Sequence, residues 1–270
     1  MIRSTLAEAA VRLAAVSDTP RLDAELLMAH ALGTTRESLI LRHLEDSAPP
    51  SFAALLERRL AHEPVAYITG RRAFWTIELE VGPGALIPRP DSETLVEAAI
   101  DYFGARSPGR ILDLGTGPGT LLLAALAEWP EAGGIGVDAS EAALDYGRRN
   151  ADALGLGDRA QFRLGDWAEG LTDRFDLILA NPPYIGTDES LPEQVRAHEP
   201  ASALFAGPDG LDDYRRILPD IPRLLAPGGV AVFEIGWTQA AAVSALAREQ
   251  GLAVTLYNDL GGRPRALLLA

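Results

Sequence analysis

The sequence predicts an α/β protein in which a small all-helical domain precedes a doubly wound, mostly parallel sheet. Residues 1–72 show apolar side chains at helical spacing and no strand-like alternation. From residue 91 onward, short apolar runs alternate with helical patterns, which is typical of parallel strands joined by helices. With 270 residues, 47% of them hydrophobic, the chain is long enough to bury a sizeable core.

Four helices are predicted in the first domain, residues 1–72. Apolar spacing places them at residues 5–15, 22–32, 36–43 and 51–61. Asp18 or Thr19 is a candidate cap for the second helix, with Pro20 in its first turn. Residues 73–88 are predicted to form a β-hairpin linker. A strand over residues 72–81 precedes the turn sequence Gly82-Pro83-Gly84, and residues 85–87 are expected to be the return strand.

The remaining residues, 89–270, are predicted to form the sheet domain. Strands are expected at residues 110–114, 134–138, 160–164, 175–180, 229–235, 252–258 and 265–269, the last at the edge of the sheet. Helices are expected at residues 91–104, 119–128, 140–154, 211–225 and 237–250. Residues 185–210 are predicted to be a long loop, and loops of this length in compact domains are often functional.

A glycine-rich turn follows the first strand of this domain and indicates a nucleoside-like ligand. The turn is Gly115-Thr116-Gly117-Pro118-Gly119, with Asp113 just before it. Glycines let the backbone approach a ligand closely and adopt positive φ. The next strand ends in Asp138, which is suited to accept hydrogen bonds from both hydroxyls of a ribose. Thr120 stands where the dinucleotide fingerprint has its third glycine, so a pyrophosphate-containing cofactor is disfavoured.

The motif Asn181-Pro182-Pro183-Tyr184 follows the predicted strand 175–180 and is suited to hold a planar amide or amine. The Asn side chain supplies one acceptor oxygen and two donor hydrogens. Proline donates no N–H, so nearby backbone carbonyls are free to face a substrate, and the Tyr ring offers a flat apolar face. Ligands bind at the carboxyl ends of parallel strands, so we expect this motif, the glycine-rich turn, Asp138 and Asp166-Trp167 on one rim.

Together these segments resemble the S-adenosylmethionine-dependent methyltransferases, which have a Rossmann-like, seven-stranded sheet. Within that class the chain resembles the PrmC/HemK family, the protein-(glutamine-N5) methyltransferases that modify peptide chain release factors. The resemblance covers nearly the whole chain and includes residues 63–70, residues 86–97, Asp166-Trp167 and His198-Glu199-Pro200, in the family's order. Within residues 86–97, Ser92 replaces a commoner Thr. In the glycine-rich turn, Pro118 replaces a commoner Thr or Ser.

The resemblance implies a cofactor and residues that bind it. S-adenosylmethionine, which is released as S-adenosylhomocysteine, is expected to contact Asp113 and the turn 115–119 through its methionine and ribose portions. Asp138 would accept from the ribose hydroxyls. Asp166 would accept from the adenine amino group, and Trp167 would pack beside the ring. Asn181 is expected to lie between cofactor and substrate and to contact both.

The resemblance also implies a substrate, the Gln of the Gly-Gly-Gln tip of class 1 peptide chain release factors. The Asn181 side-chain oxygen and the Pro182 carbonyl would accept from the substrate amide, with Pro183 and Tyr184 packed against it. Arg89 and Glu93 would close over cofactor and substrate, although these positions also suit a helix start. The helical domain would dock the release factor. His198-Glu199 is expected to shape the substrate pocket, and Glu234 to be structural or pocket-lining.

Other functions stay open from the residues alone. The Asn-Pro-Pro-Tyr motif also suits the exocyclic amine of a flipped adenine, as in an adenine-N6 methyltransferase. A non-catalytic module that binds the cofactor together with the release factor or ribosome is a second alternative. A nicotinamide-dependent dehydrogenase is a third, which the glycine spacing disfavours. The net charge is −14, and residues 73–270 carry all of the acidic excess, so duplex DNA is not an expected partner.

Composition restricts the chemistry further. Cysteine is absent, and His30, His43 and His62 are dispersed, so we expect neither disulfides nor a bound metal. All basic residues are Arg, which excludes lysine Schiff-base chemistry. No stretch has the apolar length of a membrane span, and the N-terminal pattern indicates an amphipathic helix rather than a signal peptide. We expect a cytoplasmic monomer.

Overall fold

The computed structural model describes residues 1–270, and the chain forms two compact units. The first unit consists of Met1–Arg71 together with Leu191–His198. The second consists of Arg72–Ser190 together with Glu199–Ala270. The sequence does not predict that the segment Leu191–His198 belongs to the first unit, because so short and polar a segment carries no periodic signal.

The first unit is built from helices around an apolar cluster. Its helices are α1 (Ile2–Leu13), α2 (Pro20–Leu32), α3 (Arg36–Ser38), α4 (Ser51–Leu60), α5 (Val65–Thr69) and, from the later segment, α9 (Glu193–His198). A π-helical turn, Leu39–His43, continues α3. Leu6, Leu27 and Leu56 are among the buried residues that pack α1, α2 and α4 together. The apolar spacing does not predict α5, which is only five residues long.

A buried ion pair links α2 to α4 within this unit. Arg59 Nε donates to Asp23 Oδ2 at 2.8 Å, and Arg59 Nη2 donates at 3.0 Å both to the Val16 carbonyl and to Gln194 Oε1. The Arg59 and Asp23 side chains are only 4% and 10% exposed. Charges withdrawn from water in this way are tolerated only while both partners and their hydrogen bonds remain.

The Asp23→Ala substitution is expected to lower the free energy of unfolding by about 3–5 kcal/mol, because the Arg59 charge would stay buried without its carboxylate. Urea denaturation measures the loss. Glu45→Ala is the matched control, since it removes a carboxylate from the exposed pair that Glu45 forms with Arg3 in the same unit. That change should cost at most about 1 kcal/mol. Equal losses in the two variants would show that burial of the Asp23 pair has no energetic weight.

A hairpin is present, but the predicted position of its turn is wrong. Strands β1 (Arg71–Phe74) and β2 (Ile77–Glu80) form a two-stranded sheet with the turn at Trp75, and residues 85–87 form no strand. Trp75 has a φ of +54°, which is uncommon for a residue other than glycine. Its N–H donates to Glu93 Oε1 at 2.9 Å. This hydrogen bond from outside the hairpin supports a turn that no glycine marks in the sequence.

The second unit contains the predicted seven-stranded sheet. Its strands are β3 (Arg110–Leu114), β4 (Gly133–Asp138), β5 (Ala160–Leu164), β6 (Phe175–Ala180), β7 (Leu225–Glu234), β8 (Val254–Asn258) and β9 (Pro264–Leu269). Their order is β5-β4-β3-β6-β7-β9-β8, and only the pairings of β9 are antiparallel. The prediction that residues 265–269 form an edge strand is wrong. β9 lies between β7 and β8 and is almost entirely buried, which is typical of an interior strand.

Helices connect and cover these strands. They are α6 (Glu93–Phe103), α7 (Thr120–Glu128), α8 (Glu141–Ala153), α10 (Asp212–Ile217), α11 (Ile221–Leu224) and α12 (Ala240–Glu249), and a 3₁₀ turn at Pro90–Ser92 precedes α6. The predicted single helix at 211–225 is wrong. It is divided by a 3₁₀ turn at Leu218–Asp220, because Pro219 and Pro222 cannot donate the hydrogen bonds of a continuous helix. The structure contains no helix with the length and apolar character that crossing a bilayer requires.

Candidate active site

The carboxyl ends of four parallel strands lie side by side at one edge of the sheet. Leu114 of β3 is in register with Val137 of β4 and with Ala180 of β6, and Ala180 is in register with Phe233 of β7. The residues that follow these positions therefore emerge together. They are the glycine-rich turn, Asp138, Asn181 and Glu234. This edge is where ligands bind in open α/β sheets.

Backbone hydrogen bonds hold the glycine-rich turn, residues 115–119, against β4. The N–H groups of Gly115 and Thr116 donate to the Val137 carbonyl at 2.9 and 3.0 Å. Gly115 has a φ of +71°, and a Cβ atom there would lie 2.9 Å from the Trp167 ring. A larger residue at position 115 would therefore strain the backbone and displace the indole.

Asp113 joins the end of β3 to the start of α7. Its Oδ2 accepts from Thr116 Oγ1 at 2.7 Å and from the Leu122 N–H at 3.1 Å. Leu122 is in the first turn of α7, whose N–H groups have no partner within the helix, so Asp113 acts as a cap. The other carboxylate oxygen, Oδ1, is buried and has no hydrogen-bond partner. Burial outweighs the hydrogen bonds and raises the pKa of Asp113 to about 7.

Asp138 holds the turn from the neighbouring strand. Its Oδ2 accepts from the Gly117 N–H and its Oδ1 from the Ser140 N–H, both at 2.8 Å. Burial raises the pKa of Asp138 above its ordinary value in spite of these hydrogen bonds. Each carboxylate oxygen can accept more than one hydrogen bond, so Asp138 can still bind a ligand hydroxyl.

Two adjoining cavities open beside these groups. The larger, of about 390 Å³, is lined among others by Gly115, Gly117, Asp138, Trp167, Asn181 and Pro183. The smaller, of about 40 Å³, is lined among others by Arg89, Ser92, Asp113, Thr116, Pro118 and Asn181. Asn181 lines both. The larger cavity has the volume of a small-molecule site.

Trp167 forms part of the wall of the larger cavity and is fixed by α10. Its φ is +50°, and its Nε1 donates to Asp213 Oδ1 at 3.0 Å. Asp166 is about half exposed and accepts from Arg216 Nη2 at 2.5 Å. Asp213 and Arg216 also line this cavity. Sequence reasoning missed both, because charged residues on a short helix give no signal of a site.

The residues Asn181, Pro182, Pro183 and Tyr184 extend directly from the end of β6. Pro182 is buried, and Tyr184 is not among the lining residues of either cavity. The Tyr184 hydroxyl instead donates to Glu234 Oε1 at 3.2 Å. Burial, together with the nearby Glu234 charge, raises the pKa of Tyr184 above its usual value. The phenol therefore stays protonated and anchored to Glu234.

Ser92 and Glu234 extend this network to Asn181. Ser92 Oγ donates to Glu234 Oε2 at 2.5 Å, and Asn181 Nδ2 donates to Ser92 Oγ at 3.2 Å. Ser92 and Glu234 are 2% and 1% exposed, and burial raises the pKa of Glu234. Sequence reasoning does not include Ser92 among the site residues, because a serine before a helix indicates only a cap.

Arg89 and Glu93 differ in their relation to the cavities. Arg89 lines the smaller cavity, and its Nη2 donates to Glu199 Oε1 at 2.5 Å. Glu199 is buried and also accepts from the Ile87 N–H at 3.1 Å. Glu93 accepts from the Trp75 N–H and lines neither cavity. The structure thus brings Arg89, but not Glu93, to the cavities.

Comparisons with known proteins identify the class. Residues 106–256 match the family described as methyltransferase domain, and residues 4–70 match the PrmC N-terminal domain. A methyltransferase from Pyrococcus furiosus has a similar structure, with a TM-score of 0.55 and 19% identity over 80% of this chain and 98% of that one. A ribosomal protein L11 methylase from Lactobacillus delbrueckii subsp. bulgaricus has a TM-score of 0.52 and 19% identity, and the match covers 71% of this chain and 84% of that chain. The chain has the methyltransferase fold and a methyltransferase domain.

Curated relatives identify the family. The release factor glutamine methyltransferase of Caulobacter vibrioides is 44% identical over 258 residues, which cover 93% of this chain and 89% of the relative. The protein of the same name from Xylella fastidiosa is 45% identical over 262 residues, which cover 95% of each. The chain belongs to the release factor glutamine methyltransferase family, and the resemblance drawn from its motifs is confirmed.

Replacing Asp113 with asparagine is expected to change how stability depends on pH. The Asp113 pKa is about 7 in the folded protein, against 3.8 ordinarily, so folding binds a proton between these values. Wild-type stability therefore falls as pH rises through that window, by up to about 1.4 kcal/mol per pH unit. The substituted amide does not titrate, so the Asp113→Asn variant lacks this loss. Free energies of unfolding measured from about pH 4 to about pH 8 test this; a pH-independent difference between the two proteins would contradict it.

Gly115→Ala is expected to lose more stability than Gly155→Ala. The two glycines have almost the same φ, +71° and +70°, so the backbone strain of an alanine is matched. No atom lies within 4 Å of a Cβ at position 155, whereas the Trp167 ring obstructs position 115. Urea denaturation of both variants isolates the clash as the difference between them. Equal losses would mean that Trp167 moves aside at no cost.

Proposed function

We propose that the protein transfers a methyl group from S-adenosylmethionine to the side-chain amide nitrogen of the glutamine in the Gly-Gly-Gln motif of class 1 peptide chain release factors. The observation that carries the proposal is Asn181, which follows β6 and lines both cavities next to the glycine-rich turn. Membership of the release factor glutamine methyltransferase family supports the choice of substrate. The reaction would act on translation termination.

The residues around the cavities fit S-adenosylmethionine. Asp113 keeps a buried oxygen without a hydrogen-bond partner, which suits the amino group of the cofactor. We assign the ribose hydroxyls to Asp138 and the adenine to Trp167, with Asp166 near the adenine amino group. The backbone of residues 115–119 would lie against the cofactor, where glycine permits close approach. When bound, the cofactor supplies an electrophilic methyl group and is released as S-adenosylhomocysteine.

We assign the grip on the substrate to Asn181 and Pro182. An amide nitrogen is a weak nucleophile, because its lone pair is delocalised into the carbonyl. The Asn181 side-chain oxygen and the Pro182 carbonyl would accept its two hydrogens and stabilise the positive charge that develops on the nitrogen. The same contacts would align the nitrogen for in-line attack. Pro183, which lines the larger cavity, would pack against the amide plane, and Tyr184 would support the motif through its hydrogen bond to Glu234.

No strong base is needed in this scheme. Once methylated, the amide nitrogen is acidic and releases a proton to water or to a neighbouring group. Asp113 and Glu234 have raised pKa values, but each is engaged in holding other groups of the site. The proposal therefore assigns them to positioning rather than to proton abstraction.

We propose further that the helical unit docks the release factor. Residues 4–70 match the PrmC N-terminal domain, which supports a role particular to this family. Residues 1–72 contain equal numbers of Arg and of acidic residues. This part of the chain therefore has no net charge from these groups and can approach a release factor without strong repulsion. Arg89, which lines the smaller cavity, is the other group that we assign to the substrate side.

Asn181→Ala is expected to lower the turnover number about 10²- to 10³-fold, because one of two preformed acceptors is lost from the transition state. The assay combines purified protein, S-adenosylmethionine and purified release factor, with peptide mass spectrometry of the Gly-Gly-Gln segment. One added methyl group on the glutamine is the expected product. Asn258→Ala, at an exposed asparagine of β8, is the matched control and should retain activity.

The same assay distinguishes the alternatives. Methyl groups on adenine of added nucleic acid, with none on the release factor, would contradict the proposal and indicate an adenine-N6 methyltransferase. Binding of the cofactor without transfer to either substrate would indicate a non-catalytic module. If the Asn181→Ala variant kept full activity, the release factor would still be the substrate, but Asn181 would have no role in the mechanism.

A further inference from the structure

We propose that Ser92 and Glu234 are positioning residues that fix the orientation of the Asn181 side-chain amide, so that its oxygen faces the substrate. The inference rests on the proposed function, in which that oxygen accepts from the substrate amide. Both residues act through Asn181 rather than on the reacting atoms. They belong to segments far apart in the chain, before α6 and at the end of β7.

The orientation follows from the donors and acceptors in the network. In its ionised form Glu234 can only accept, and the Ser92 hydroxyl hydrogen then points to Glu234 Oε2. Ser92 then offers only lone pairs to Asn181 and accepts from its Nδ2. Turning the amide over would set two oxygens against each other without a hydrogen between them. The Asn181 oxygen accepts no hydrogen bond from the protein, and the residue lines both cavities.

Burial makes this preference strong. Ser92 and Glu234 are almost fully buried, so water cannot replace a lost partner. Ser92 Oγ donates to Glu234 Oε2, and a hydrogen bond to an ionised carboxylate is stronger than one between neutral groups. Tyr184 donates to the other carboxylate oxygen. Burial raises the pKa of Glu234 overall, and the hydrogen bonds from Ser92 and Tyr184 and the Arg265 charge oppose that shift. A single carboxylate thus restrains the first and the last residue of the Asn-Pro-Pro-Tyr motif.

The chemical consequence concerns which atom of Asn181 the substrate meets. A glutamine amide nitrogen presents two hydrogens, and both need acceptors if the nitrogen is to be held and its growing charge stabilised. An Asn181 side chain free to turn would present its own NH₂ group in part of the population. That orientation repels the substrate hydrogens, so it does not support transfer.

Substitutions at Ser92 and Glu234 test the inference in the release factor assay. Ser92→Ala removes the hydroxyl and should lower the turnover number about 10- to 100-fold. Ser92→Thr keeps a hydroxyl at the same place and should restore most of the rate. Glu234→Gln introduces a donor that lets the hydroxyl turn toward Asn181, and should lower the turnover number to a similar extent. The affinity for S-adenosylhomocysteine, measured by calorimetry, should change much less than the turnover number.

The double variant of Ser92→Ala and Glu234→Gln separates positioning from general damage. If both residues act through one amide, the double variant should be about as slow as the slower single variant. Multiplying losses would mean that the two residues act independently and would overturn the inference. Ser244→Ala, at a buried serine of α12 outside the cavities, controls for the loss of a buried hydroxyl. Free energies of unfolding are measured for every variant.

The outcomes for the inference and for the proposed function are distinct. If wild-type protein transfers no methyl group to the release factor, the proposed function fails before any variant is compared. If wild type is active and Ser92→Ala keeps its full rate, the positioning role is wrong and the proposed function stands. Ser92→Thr that is as slow as Ser92→Ala would also contradict the role, since a hydroxyl at that position would then not be what matters.

Discussion

The parallel register of β3, β4, β6 and β7 is the constraint on which the site depends. Parallel strands that are buried on both faces are largely apolar, and the polar groups of this sheet are concentrated at or just after the carboxyl ends of the strands. Each crossover returns the chain to the same starting edge, so all four strands end together at the other edge. Residues from distant parts of the sequence therefore meet without any one segment having to fold into a site.

Two buried carboxylates turn that alignment into fixed geometry. Asp113 accepts from the glycine-rich turn and from the first turn of α7, and Glu234 accepts from Ser92 and Tyr184. Burial disfavours the charge on both and raises the pKa of each, which lowers the stability of the ionised protein. Perturbed carboxylates of this kind are typical of functional sites. Burying Asp113 and Glu234 therefore lowers the folding stability, but their hydrogen bonds hold the surrounding groups in one arrangement.

Much of the fold could be predicted from the sequence, because the signals of its elements are local. The strands predicted at 110–114, 160–164 and 175–180 coincide with β3, β5 and β6. The errors have causes that lie elsewhere in the chain. The hairpin turn at Trp75 is supported by a hydrogen bond to Glu93, and β9 is an interior strand because it pairs with both β7 and β8. No pattern within the hairpin or within residues 265–269 contains this information.

The residues of the candidate site likewise fall into those with a local sequence signal and those without one. The glycine-rich turn, Asp138 and the Asn-Pro-Pro-Tyr motif are contiguous signals, and the structure brings them to one edge of the sheet. Ser92 and Glu234 are 142 residues apart. Ser92 lies in the family-like segment 86–97, but no local signal connects it to Glu234 or to Asn181. Their effect exists only when the hydroxyl meets the carboxylate. The two halves of an asparagine amide have nearly the same shape but opposite hydrogen-bonding character. The motif therefore identifies the asparagine, but contacts made only in the folded protein determine whether its amide presents an acceptor or a donor to the substrate.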